Sequence, residues 1–284
     1  MAFAARLKNR DFAVALEITP PQKVLTKVLL RRATLLGQAA QAVNVIQRPG
    51  RQSSLDASLE LRAAGLEPAW HVVTRGSTRA AIRADLERAR EGGIQQILCI
   101  LGDHSAESGP DTPSIKEVVS NACEYVPGAI VGATLNQYAK DHAAALKNLM
   151  PKLAAGASYI QTQPVFGLDA LEPFARAVER EAPETRIVAM AMPLLTLEAA
   201  ERVEVRIGIA LPSELKQVLA TGDEEAAWGS FTATIRELVR APYIDGVAIM
   251  TYEMDPPPET GQRIVQSLQA AGVSPSPAES AHGG

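Results

Sequence analysis

Only two cysteines occur in 284 residues, Cys99 inside an apolar run and Cys123 in a segment of helical character. Two thiols without patterned spacing exclude a disulfide framework and a thiolate zinc site, and they fit reduced core residues of a cytoplasmic protein. No run reaches the roughly 18 apolar residues that a membrane span needs. The opening MAFAARLKNRDF lacks the long apolar segment of a secretory leader, so an unprocessed, soluble chain is expected. Lys and Arg are scattered and the formal net charge is −4, which leaves no basic stripe to neutralise a phosphate backbone. Neither nucleic acid nor membrane is expected as a partner.

Several chemistries are also missing their signatures. No G-x-S-x-G elbow is present for a serine hydrolase, and neither a Walker A loop nor a G-x-G-x-x-G turn for a nucleotide. A Schiff-base aldolase needs a lysine at a strand end, yet none of the apolar runs described below contains one. The paired histidines that hydrolytic metal sites usually have are absent as well, and no metal ligand is assigned.

What the chain does have is core: 46% hydrophobic and 21% charged residues are the balance of a globular protein. Short apolar runs alternate with longer amphipathic segments. The runs are 12–19, 42–46, 68–74, 96–103, 129–136, 159–165, 186–193 and 246–253. Helical patterns follow at 22–39, 52–64, 78–91, 113–124, 139–154, 168–181, 197–220 with 223–239, and 257–271. Eight strand–helix units at this length predict a closed (βα)8 barrel of one domain, residues 1–272, rather than an open doubly wound sheet. The ending SPSPAESAHGG is too small, polar and Pro/Gly-rich to order itself, so 273–284 reads as a disordered tail.

On that fold the chemistry sits at the C-terminal ends of the strands. In FAVALEIT, parity puts Glu17 on one face with Ala13, Ala15 and Thr19, and the bulkier Val14, Leu16 and Ile18 on the other. Glu17 then points into the barrel near its top. A carboxyl there is costly to ionise, so its pKa should rise, which suits a general acid; a structural ion pair with an Arg is the equal alternative. The same parity sets Asp103 inward in line with Cys99 and Leu101. Gln161 and Gln163 share a face, where their amides could serve a polar heterocycle. His71 is inward with Ala69 and Val73, a place more often held by a hydrogen-bonded core histidine. A barrel lyase or metal hydrolase built on Glu17, His71 and Asp103 stays open, as does a ligand-binding protein without catalysis.

These residues also carry a resemblance. The strand ending Glu17-Ile18-Thr19-Pro20-Pro21, the His71 with Thr78-Arg79, the Gly93-Ile94 leading to Gly102-Asp103, and Lys152 with Ala155-Gly156-Ala157 before Thr162-Gln163 occur in one order and spacing. In these the chain resembles the methylenetetrahydrofolate reductase family from Glu17 to about Leu268. The resemblance implies an oxidoreductase of one-carbon metabolism that interconverts 5,10-methylene- and 5-methyltetrahydrofolate, with FAD as cofactor and NADH or NADPH as co-substrate.

By that resemblance Glu17 is the acid that protonates the bridging nitrogen and opens the ring to an iminium that accepts hydride. Asp103 tunes charge by flavin or pterin, and Gln163 hydrogen-bonds the pterin. His71, Thr134, Tyr138 and Lys152 lie along the flavin, Lys152 towards its phosphate-bearing arm. The chain departs from the family pattern at Leu101, where Arg is usual, and at Thr134 and Tyr138, which replace Tyr and His. Leu197 stands for a stacking aromatic and Glu253-Met254 for Asn-Arg. Weakened flavin binding, or hydride transfer without flavin, is the expectation that follows. A homo-oligomer is compatible with the sequence.

Overall fold

In a computed structural model the described residues are 2–102 and 109–274. Eight parallel strands close into a barrel in sequential order. They are β1 (Ala13–Ile18), β2 (Ala42–Val45), β3 (Pro68–Val73), β4 (Gln96–Ile100), β5 (Ile130–Thr134), β6 (Tyr159–Pro164), β7 (Arg186–Ala191) and β8 (Gly246–Met250). The closing pair β1 and β8 runs in register from Ala13 with Gly246 to Glu17 with Met250. Every predicted strand exists, shorter by a residue or more.

Between strands run α2 (Thr26–Ala33), α3 (Ser54–Ala63), α4 (Arg79–Glu91), α5 (Ile115–Tyr125), α6 (His142–Ala154) and α7 (Glu172–Glu181). After β7 come α8 (Leu197–Ile207), α9 (Ser213–Ala220) and α10 (Glu224–Arg240), and α11 (Pro258–Ala270) follows β8. The single helix expected over 197–220 is two. Gly208 takes a left-handed φ of 74° as the C-cap of α8, and Pro212 begins the next helix. No helix of the described residues is long and apolar enough to cross a membrane.

Alternation sorts the strand side chains as the pleat requires. Val14, Leu16, Val43, Val45, Ile187, Val247 and Ile249 pack outward against helices, while Ala13, Ala15, Ala42, Leu98, Val188 and Ala248 face the barrel axis. β4 corrects the sequence reading. Leu98 is the inward residue and Cys99 packs with the helices, so the parity that set Asp103 in line with Cys99 fails. After Gln96 the strand reads ILCI, apolar on both faces, so alternation there carries no sign. Asp103 itself lies outside the described residues.

The barrel base is closed by an element the sequence analysis did not propose, α1 (Phe3–Asn9). Its Phe3 and Leu7 join the inward alanines, and Phe3 meets the Tyr159 ring edge-on at 6.4 Å between centroids. Arg186 Nε donates to the Leu7 carbonyl at 2.9 Å and pins the plug. The Tyr159 ring needs room that only glycine leaves, since a Cβ on Gly132 would stand 2.3 Å from its Cζ. Gly132→Ala should therefore lower stability by about 1–3 kcal/mol through overpacking, seen as a Tm loss of about 2–4 °C per kcal/mol; an unchanged melting curve would refute this packing.

At the other end of the chain, Val273, assigned to the tail, is buried in the core. The remainder, 275–284, lies outside the described residues.

Candidate active site

The C-terminal ends of the strands open into a cleft of about 1630 Å³. Glu17 lines it from the top of β1, with 6% of its surface exposed. Its small neighbours below, Ala13 and Ala15, are also inward.

Two amides reach the acid from different strands. Gln161 Nε2, on β6, crosses the barrel to donate to Glu17 Oε2 at 2.8 Å. Asn44, the register partner of Glu17 on β2, donates from Nδ2 to Gln161 Oε1 at 2.7 Å. Burial pushes the Glu17 carboxyl up from 4.5 to about 7; Gln161, the Arg48 charge and Asn44 pull the other way without cancelling it. A carboxyl that titrates near neutrality can hold a proton and give it up under ordinary conditions, which is what a general acid needs.

Gln163 is aimed by a local irregularity. The β6–β7 register shifts between Gln161 and Pro164, as at the bulges that re-aim side chains beside sites. A buried side-chain amide completes the broken ladder: Gln137 Nε2 donates to the Gln163 carbonyl and Gln137 Oε1 accepts from the Gln163 amide, both at 2.9 Å. Gln163 is left half-buried on the cleft wall.

His71, on β3, lines the same cleft and is 98% buried by its 2% exposure. Neither ring nitrogen has a hydrogen-bond partner among the described residues. Burial lowers its pKa from 6.5 to about 3, so the ring is neutral. Beside it Gly102, at a φ of +91°, brings the end of β4 close to β3, where a Cβ would stand 2.6 Å from Val73 Cγ1.

Glu17, His71, Thr134 and Gln163 thus share one cleft. Tyr138 and Lys152 do not line it. The Tyr138 hydroxyl donates to the Pro164 carbonyl at 2.8 Å, and Lys152 Nζ donates to the Thr134 carbonyl at 2.8 Å, with burial lowering its pKa. Asn44 and Arg48 escaped the sequence analysis. A polar residue in the apolar run AVNV was the available signal for Asn44, and it repeats the anomaly of Glu17. Tyr252 was missed too; it stands 40% exposed on the cleft wall after β8. Among the described residues no group of three or more His, Cys, Asp or Glu side chains could hold a metal ion.

A parallel (βα)8 barrel with a buried, protonatable carboxyl and converging amides at its C-terminal face belongs to the barrels whose sites are built at the strand ends. The particular kinship is given by sequence: the family model described as methylenetetrahydrofolate reductase matches residues 2–255, and the chain belongs to that family. Among solved structures, it is similar to an uncharacterized protein from Clostridium thermocellum described as binding two copies of 5-methyl-5,6,7,8-tetrahydrofolic acid. That likeness has a TM-score of 0.68 at 14% identity over 94% of this chain and 96% of that one. A phosphonopyruvate hydrolase in complex with oxalate and Mg++ shares the fold at a TM-score of 0.51 and 10% identity, over 93% and 82% of the two chains.

Proposed function

We propose that the cleft binds a reduced folate and that the protein interconverts 5,10-methylenetetrahydrofolate and 5-methyltetrahydrofolate by hydride transfer. The observation that carries this reading is Glu17, a carboxyl that titrates near pH 7 inside the cleft of a chain of this family. In the reductive direction Glu17 gives its proton to the bridging nitrogen, the bond from that nitrogen to the one-carbon unit breaks, and the resulting iminium carbon takes up hydride to become the methyl group. Gln163 offers amide donors and an acceptor to the pterin edge. The folate bound by the Clostridium thermocellum protein supports the same class of ligand.

The residues present fit a flavin in part. His71, with two orphaned nitrogens, and Thr134 stand where a flavin ring could be held, and Arg75 lines the cleft on the same side, near Gly102. When bound, that group would supply the hydride from NADH or NADPH. Tyr138 and Lys152, by contrast, have their polar tips committed to backbone carbonyls. Losing one charged hydrogen bond costs about 1.5–3 kcal/mol, or roughly ten- to a hundredfold in affinity. Titration with FAD should accordingly show a Kd in the micromolar range or weaker.

Turnover assays with 5,10-methylenetetrahydrofolate and each nicotinamide, with and without added FAD, test the proposal. Flavin-independent hydride transfer is the second reading, favoured by the commitment of Tyr138 and Lys152, and turnover unaffected by FAD would select it. Binding of 5-methyltetrahydrofolate without turnover under any of these conditions would leave a folate-binding protein and overturn the enzyme.

A further inference from the structure

The hydrogen bonds at Glu17 form a directed chain. Asn44 Nδ2 donates to Gln161 Oε1 at 2.7 Å and Gln161 Nε2 donates to Glu17 Oε2 at 2.8 Å. All three side chains are buried, at 3%, 2% and 6% exposure. An amide has one acceptor oxygen and one NH2 group, so the end of Gln161 that meets Asn44 decides the end that meets Glu17. Turned the other way, Gln161 would set its NH2 against the Asn44 NH2 and its carbonyl against a carboxylate oxygen.

We propose that Asn44 and Gln161 are positioning residues for the acid: Asn44 fixes the orientation of the Gln161 amide, and Gln161 fixes which oxygen of Glu17 stays unprotonated. With a Gln161 N–H pointing into Oε2, the proton of the neutral carboxyl rides on Oε1. An acid whose proton sits on one defined oxygen is pre-aligned for transfer, and the lost alignment of a free carboxyl need not be restored at each turnover. Asn44 does not line the cleft; it holds the Gln161 amide and also lowers the Glu17 pKa itself, from beside it on β2.

Burial and the amides act on the titration of Glu17 in opposite senses: burial raises its pKa, and Gln161 and Asn44 lower it. The other groups around the carboxyl are Arg48, after β2, whose charge also lowers it, and the apolar Met250, its register partner on β8.

The test is the titration of the Glu17 carboxyl in the whole, ligand-free protein, followed by infrared difference against Glu17→Gln. In Asn44→Ala the midpoint should rise by about one pH unit, the equivalent of one weakened hydrogen bond to a charged group. Gln161→Met, which removes the donor while keeping the side-chain length, should raise it at least as far and covers the case in which Asn44→Ala fails to fold. Asn44→Asp offers acceptors only, so it should turn the Gln161 amide round and also raise the midpoint. A folded Asn44→Ala or Gln161→Met protein whose Glu17 midpoint is unmoved overturns the proposal.

The proposal rests on the acid role of Glu17 only in its kinetic consequence. In Asn44→Ala, kcat for folate should fall about tenfold with KM within twofold of wild type. If the midpoint moves while the wild-type protein turns over no folate, the positioning stands and the folate reductase reading fails. If the midpoint moves and kcat does not, the amides do not serve proton transfer and the proposal is overturned.

Discussion

Replacing Glu17 by glutamine should lower turnover of 5,10-methylenetetrahydrofolate by about 10²- to 10⁴-fold, the usual worth of a positioned acid. Glutamine keeps the side-chain length, and its carbonyl can still accept from Gln161 Nε2, which now bonds to Glu17 Oε2 at 2.8 Å. What is lost is the transferable proton. Affinity for 5-methyltetrahydrofolate, measured by titration, should therefore change little, and the defect should sit in kcat. The pH profile carries the same signature. On the proposed mechanism Glu17 acts only when protonated, and burial sets its pKa at about 7, so wild-type turnover in the reductive direction should fall as pH rises through neutrality. A Glu17→Gln protein with near wild-type kcat would show that the carboxyl is structural, whatever ligand the cleft holds.

Glu17 was legible in the sequence because β1 has a clean alternation of small inward and bulky outward residues, with one carboxyl on the inward side. The eight strands were legible for the same reason at larger scale, since each ends at a turn and is followed by a helical period. The facing of β4 was not, because Ile97, Leu98 and Cys99 are all buried and apolar, and a strand buried on both faces does not announce which one meets the barrel axis. The plug α1 was invisible because its contribution rests on two residues four apart, Phe3 and Leu7. That spacing is too brief for periodicity to register.

The site was half legible. Residue type identified Glu17, His71 and Gln163 as cleft residues, and family likeness added Thr134. The same likeness implicated Tyr138 and Lys152, whose polar tips instead satisfy the carbonyls of Pro164 and Thr134. A motif match conveys which residues stand in line but not which way a long side chain turns. The Asn44–Gln161–Glu17 chain needed coordinates, because Gln161 on β6 meets the neighbouring strands β1 and β2 only across the closed barrel.

A second large effect of the same carboxyl should appear in stability. Glu17 has a folded pKa raised from 4.5 to about 7, so between those values the native state holds a proton that the unfolded chain has released. The stability this represents is fully present below about pH 4.5 and is lost as pH rises through 7, a difference of about 3 kcal/mol. His71 acts with the opposite sign. Its pKa is lowered from 6.5 to about 3, so its contribution is present above 6.5 and is lost as pH falls towards 3, on the order of 5 kcal/mol. From about pH 4.5 to 6.5 the two slopes oppose each other, and these two groups together should leave stability nearly flat there. Glu17→Gln removes one of them. The variant should match wild type in urea denaturation at pH 4.5 and exceed it by about 3 kcal/mol at pH 8, a gain in stability bought with catalysis. His71→Leu should show the mirror image, with any gain over wild type growing only below pH 6.5. Equal stability of Glu17→Gln and wild type at both pH 4.5 and pH 8 would mean that the folded protein ionises Glu17 as readily as the unfolded chain does, and the acid assignment would fall with it.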